Sequence, residues 1–166
     1  DPAQATRYTD ERGRRTGTWA ALGTLNYELS ERSDLTLTSL WSQSGSSDVN
    51  FAEGQAADRQ YIAQRRLRFV ERQLWFAQLR GEHRELPALH KTSIDWNLSV
   101  ARAVRDEPDT RSLRYDAASP ELPYQWAVSN RSPQRFFSNL TDWTVGSQLD
   151  LTVPIVDALK LKVGGQ

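Results

Sequence analysis

Four stretches of this chain alternate apolar and polar residues with a period of two. Trp19, Ala21, Gly23, Leu25, Tyr27 and Leu29 interleave with Thr24, Asn26 and Glu28, and Leu35, Leu37 and Trp41 repeat the pattern. Ile94, Trp96, Leu98 and Val100 interleave with Asp95, Asn97 and Ser99. Trp143, Val145, Leu149, Leu151 and Val153 stand against Asp142, Thr144, Gln148 and Asp150. Successive side chains of a strand point to opposite faces, so each stretch is a ribbon with one greasy and one wet side. Such ribbons, edged by aromatics, predict a sheet that separates water from an apolar phase, and lipid is one such phase.

Composition narrows the setting. With 166 residues the chain has the length of one domain, and 21 basic residues balance 21 acidic ones. That balance argues against a nucleic-acid partner, because phosphate binding needs uncompensated positive surface. Mean hydropathy is −0.66. This is low for a packed soluble core, yet ordinary for a membrane barrel whose lumen-facing half is polar. Cysteine is absent, which excludes disulfide and thiolate–metal frameworks. No apolar run is long enough for a transmembrane helix, whereas a barrel strand needs only about ten residues. There is no methionine, even at position 1, and no secretory pattern, so the reading favours a piece of a longer protein.

Six strands are expected. The polar stretch Asp1–Arg15 reads as a loop or frayed end, and Thr18–Leu29 as the first strand. A short turn leads to a second strand over Leu35–Ser42, and the Ser/Gly/Asn-rich Ser42–Ala57 reads as a loop. Arg59–Arg80 is a third strand with a bulge or register ambiguity near its middle, where Glu71, Leu74 and Phe76 break the order. Gly81–Thr92 reads as a turn, Ser93–Arg102 as the fourth strand, and Arg105–Asn139 as a long connection. Leu140–Val153 is the fifth strand, Pro154–Asp157 a turn, and Leu159–Val163 begins a sixth. Connections alternate short and long, as in transmembrane barrels. The fold class is therefore all-β: an antiparallel up-and-down meander of about six long strands, a partial transmembrane β-barrel.

The stretch Phe69–His83, with its Gln78-Leu79-Arg80-Gly81-Glu82-His83 turn, is followed by Ile94-Asp95-Trp96 and by Arg105-Asp106-Glu107-Pro108-Asp109-Thr110-Arg111. Together these resemble the barrel of TonB-dependent outer-membrane receptors, and Trp19–Val163 is compatible with that likeness. The resemblance implies a central slice of a 22-stranded wall over residues 1–166, without the plug or the TonB-binding segment. It also implies a parent chain in the bacterial outer membrane that meets lipid, the TonB energising complex and a small nutrient ligand.

Other constellations have plainer readings. His83 and His90 lie near Glu82 and Glu85 in what reads as a solvated turn, which offers no preformed metal scaffold. Asp106, Glu107 and Asp109 could ligate calcium, but pairing with Arg105 and Arg111 is the preferred reading. Arg66, Arg68 and Arg72 share a strand face and are expected to form an internal ladder with Asp95 and Glu107 rather than a phosphate patch. Substrate contact is assigned to the aromatics of the long connection: Tyr115, Tyr124, Trp126, Phe136 and Phe137. No phosphate loop, nucleophile elbow or supported acid pair is visible, so no enzyme and no cofactor are expected.

The function expected first is a segment of a TonB-dependent receptor taking up an iron chelate, vitamin or oligosaccharide. Leu25, Leu37, Trp96, Leu98, Val145, Leu149 and Leu151 would face lipid. Asn26, Asp95, Asn97, Ser99, Asp142, Gln148 and Asp150 would face the lumen. The alternatives are a soluble β-sandwich binding module, whose greasy face meets a second sheet, and a complete small outer-membrane barrel or porin. The latter needs further strands, for which Leu113–Tyr115 and Tyr124–Val128 are candidates.

Overall fold

A computed structural model describes residues 7–55, 60–127, 133–156 and 159–166. The strands are β1 (Arg7–Ser30), β2 (Ser33–Gln55), β3 (Tyr61–Leu86), β4 (Thr92–Ala117), β5 (Gln125–Trp126), β6 (Gln134–Val156) and β7 (Leu159–Gly165). They form one antiparallel up-and-down sheet in the order β1-β2-β3-β4-β6-β7, with β5 paired to β4, and hydrogen bonds do not close it. Among the described residues the chain has no α-helix, only the 3-10 turn Pro87–Leu89 between β3 and β4. Among the described residues no helix is long and apolar enough to cross a membrane, which says nothing of strands.

The meander is as expected; the strand lengths are not. The five long strands run 23 to 26 residues. Arg7–Arg15 belongs to β1, and Ser42–Gln55, expected as a loop, belongs to β2. Gly81–Leu86 continues β3 past the expected turn. The expected long connection Arg105–Asn139 is mostly ladder: β4 runs on to Ala117, β5 contributes Gln125–Trp126, and β6 starts at Gln134. Leu113–Tyr115 is therefore part of β4, not a separate strand, and Val128 lies outside the described residues. Pro154 and Ile155 lie in β6, where the register slips, while Asp157 is not among the described residues. The missed segments are largely polar on both faces, with only short apolar alternations such as Val49 and Phe51 or Leu113 and Tyr115. Backbone pairing can hold such strands without a long apolar alternation to betray them.

The strands pass through two compact units. The first comprises Asp1–Thr18, Ser44–Arg72 and Arg105–Leu140. Its few buried apolar groups are Ile62, Val70, Ala117 and Ala127. Within it, Glu107 and Thr110 of β4 touch although they are three apart, which strict alternation forbids. Pro108 lies between them; it cannot donate to the ladder, so the pleat breaks there.

The second unit comprises Trp19–Gln43, Gln73–Val104 and Thr141–Gln166. Its register is readable from paired contacts. Thr36 Oγ1 meets Asn26 Oδ1 at 2.9 Å across β1 and β2, and Arg84 N donates to Arg32 O at 2.8 Å across β2 and β3. Lys91 N donates to Leu86 O at 3.0 Å at the β3–β4 turn, where His90 and Lys91 adopt positive φ of 52° and 59°. Ser99 Oγ donates to Gly146 O at 3.5 Å across β4 and β6.

Candidate functional site

Counting along the ladders from these contacts sets Trp41 opposite Trp75, Trp75 opposite Arg102, and Arg102 opposite Trp143. The last pair is seen directly, with the Arg102 guanidinium 5.6 Å from the Trp143 ring centroid. Trp19 lies on the same face, diagonal to Trp41. These residues make one aromatic row across the second unit, and all four indoles are exposed at 36% or more.

From that row towards the β1–β2 and β3–β4 turns, the tryptophan-bearing face reads Ala21, Gly23, Leu25, Tyr27 and Leu29 on β1 and Leu37 and Leu35 on β2. It continues with Ala77, Leu79 and Gly81 on β3, Val100, Leu98, Trp96 and Ile94 on β4, and Val145, Leu149, Leu151 and Val153 on β6. Leu161 and Val163 of β7 pair with Val153 and Leu151 and extend it. Among the described residues no carboxylate, lysine or arginine interrupts this face between the row and His83 on β3, beyond which Glu85, at a positive φ of 45°, ends the ribbon. The other face carries Glu28, Asp34, Arg80, Glu82, Asp95, Asp150, Lys160 and Lys162. Gln78, Arg80, Asp95, Asn97 and Gln148 line one mainly polar depression that Trp96 borders, whereas Trp96, Leu98, Leu149, Leu151 and Val163 line a mainly apolar one that Gln148 borders. The apolar side is also the more open: Val145 is 79% exposed, while its polar neighbours Gln148 and Asp150 are half-buried. The assignment of residues to two faces thus follows the expected alternation.

At the far edge of the apolar face Trp96 lies flat on Gly81. A Cβ on that glycine would come within 2.3 Å of the indole, so only hydrogen fits. The Trp96 indole N–H donates to His83 Nε2 at 3.2 Å, which leaves Nδ1 to carry the imidazole proton towards Ser33 Oγ at 3.0 Å. The residues that carry the family resemblance, Gly81, His83 and Trp96, are therefore one packed cluster. Both ring nitrogens of His83 are engaged, and among the described residues no three His, Asp or Glu converge as a metal site would require.

The first unit is charged on both faces. On one, Asp109 takes Arg135 through two bonds of 3.0 and 2.8 Å and Arg111 at 2.6 Å, and Asp106 accepts from Asn139 at 3.2 Å. Arg135 and then Arg111 hold the Asp109 carboxyl below its ordinary range. On the other face Glu107, 2% exposed, receives a two-pronged Arg68 guanidinium at 3.0 and 3.1 Å. It also accepts from Arg105 at 2.9 Å and from the Thr110 hydroxyl at 2.6 Å. Bonds from Arg68 and then Thr110 outweigh its burial and draw its pKa down to about 2.

This is one rung of the expected ladder, not a ladder. Among the described residues Asp95 forms no ion pair, and Arg66 and Arg72 have neither an ion pair nor a hydrogen bond. The reason is level. Asp95 lies in the second unit, opposite Glu82 and sharing a depression with Gln78 and Arg80 rather than with Arg66, Arg68 and Arg72. The pairings of Arg105 with Glu107 and of Arg111 with Asp109 are as expected.

The five aromatics assigned to substrate do not lie on one long loop, and among the described residues Tyr115 and Trp126 are the two seen in ring contact. Tyr115 on β4 is paired with Trp126 on β5, their rings 5.0 Å apart. Tyr124 donates its hydroxyl to Glu53 of β2 at 2.8 Å, and burial followed by that carboxylate pushes its pKa up. Phe136 and Phe137 are neighbours on β6 and so point to opposite faces, with Arg135 stacked 5.2 Å from the Phe137 centroid. Sequence reasoning missed Arg12, Arg14 and Asp48, which come together because β1 and β2 extend past their apolar ribbons. It also missed Trp75 and Arg102 as members of the aromatic row, since membership depends on register. No protein-family model matches the sequence, and no curated protein matches it either.

Proposed function

We propose that this chain is part of the wall of a bacterial outer-membrane transporter of the TonB-dependent kind, carrying a scarce nutrient such as an iron chelate, a vitamin or an oligosaccharide. One observation carries the membrane part of this reading: below the tryptophan row, the outward ribbons of the second unit are free of charge for about nine to eleven residues, the span a tilted strand needs to cross lipid. Tryptophan and a snorkelling arginine at the margin of such a band suit a membrane interface. The membrane-spanning segments are then residues 19–29, 33–41, 75–84, 92–102 and 143–153. The first unit, charged on both faces, suits water on both sides. The TonB-dependent identity rests on the sequence resemblance, and the plug and energising contact would belong to other parts of the parent chain.

The soluble sandwich reading is disfavoured because the apolar face lies open, with no second sheet among the described residues. A complete small barrel is disfavoured because the described strands number seven, one of them only two residues long. The test is folding of the chain with and without lipid. Protease-resistant β-structure should form in phosphatidylcholine vesicles, while aqueous buffer alone should yield aggregates through the open β1 and β7 edges. A folded monomer in plain buffer would refute the membrane reading.

A further inference from the structure

The arginines left without partners point to a ligand. On the face of the first unit that carries Glu107, Arg12 and Arg14 of β1, Asp48 and Asn50 of β2, and Arg66 and Arg68 of β3 line one groove. Its walls are braced. Arg14 is paired with Asp48, Asn50 Nδ2 donates to Asp10 at 2.9 Å, and Arg12 reaches the same Asp10 at 2.7 Å. Arg68 is fixed by Glu107, and the carboxyl of Asp48 feels both Arg14 and Arg68. Along this face Arg72 and Arg105 follow, so six guanidinium groups meet the three carboxylates of Asp10, Asp48 and Glu107. The surplus sits on groups without acceptors: Arg66 and Arg72 have none among the described residues, and the Nε–H of Arg105 is buried unpartnered. The chain as a whole is neutral, so this surplus is local. Planar guanidinium forks match the paired oxygens of carboxylates and phosphates.

We infer that this groove binds a small multiply charged oxyanion, bearing carboxylates or phosphates, with Arg66 as the unoccupied fork that closes on it. As a statement about cargo this rests on the transporter reading, because only in a barrel wall would this face line a transport path. As a statement about binding it stands on the groove alone.

The experiment separates the two. The full chain, folded in detergent micelles and in vesicles, is titrated calorimetrically with tricarballylate, with inorganic pyrophosphate and with the neutral propane-1,2,3-tricarboxamide. At least one anion should bind saturably and more weakly as salt rises, while the triamide should not bind. Binding of tricarballylate alone assigns the groove to carboxylates, and binding of pyrophosphate alone assigns it to phosphates. Arg66→Gln should weaken binding about tenfold or more, the scale of one charged hydrogen-bonded contact. Arg66→Lys should recover part of that loss. Arg15→Gln, on the opposite face of β1, should leave binding unchanged. Absence of anion binding by chain with native β-structure would overturn the inference, as would equal losses for Arg66→Gln and Arg15→Gln. Vesicle insertion is scored separately by protease protection, so a failed membrane reading is told apart from a failed anion site.

Discussion

Trp96 rests its indole on the bare backbone of Gly81, where a Cβ would lie 2.3 Å from the ring. The glycine is thus a seat for the indole, and the ring's N–H reaches His83 from that seat. Gly81→Ala must push the indole aside and break this bond. A cost of about 1–3 kcal/mol is expected for such overpacking. Urea unfolding of micelle-folded protein measures it, and the Trp96 indole resonance should shift. An unchanged midpoint would show that the ring has room to give.

Leu149→Arg places a charge on the apolar face midway between the tryptophan row and the β6–β7 end. In vesicles this should cost about 2–4 kcal/mol of folding free energy. Val145→Arg, nearer Trp143, should cost less, and Gln148→Arg on the polar face should cost little. Equal penalties at Gln148 and Leu149 would contradict the two-faced wall.

Variants retaining a single tryptophan report depth. Quenching by lipids brominated at graded positions should place Trp41, Trp75 and Trp143 at one depth, and Trp96 at another, because the ladder sets the first three level. Different depths for Trp41 and Trp75 would mean that the β2–β3 register is not the one described.

Glu107 lies outside the proposed membrane segments, and its pKa of about 2 stands below the ordinary 4.5 of a glutamate. A depressed carboxyl adds stability that is fully present above the unfolded value and is lost as pH falls through the folded one. The stability of the folded chain should therefore decline between about pH 4.5 and pH 2, and Glu107→Gln should flatten that part of the profile. At neutral pH the same substitution leaves Arg68, Arg105 and Thr110 a single neutral acceptor oxygen in place of two charged ones and should cost about 2 kcal/mol. Chemical unfolding at a series of pH values tests both expectations.

The sequence alone determined the class and the two faces. Leu25 and Asn26, or Leu149 and Gln148, are one residue apart, and in a strand that difference decides the side without any tertiary information. It also determined which charges were near neighbours, such as Arg105 with Glu107 and Arg111 with Asp109, since residues two apart share a face. Only the tertiary structure decided strand length and level. Ser42–Gln55 and Arg105–Ala117 carry charges on both sides and only two or three alternating apolar residues each, so the pattern is too short to mark them, and interstrand hydrogen bonds and ion pairs make them ladder. Level depends on turn geometry and on the break at Pro108. That is why Arg68 finds Glu107 while Arg66 finds no partner, and why Trp41, Trp75 and Trp143, far apart in the chain, fall into one row.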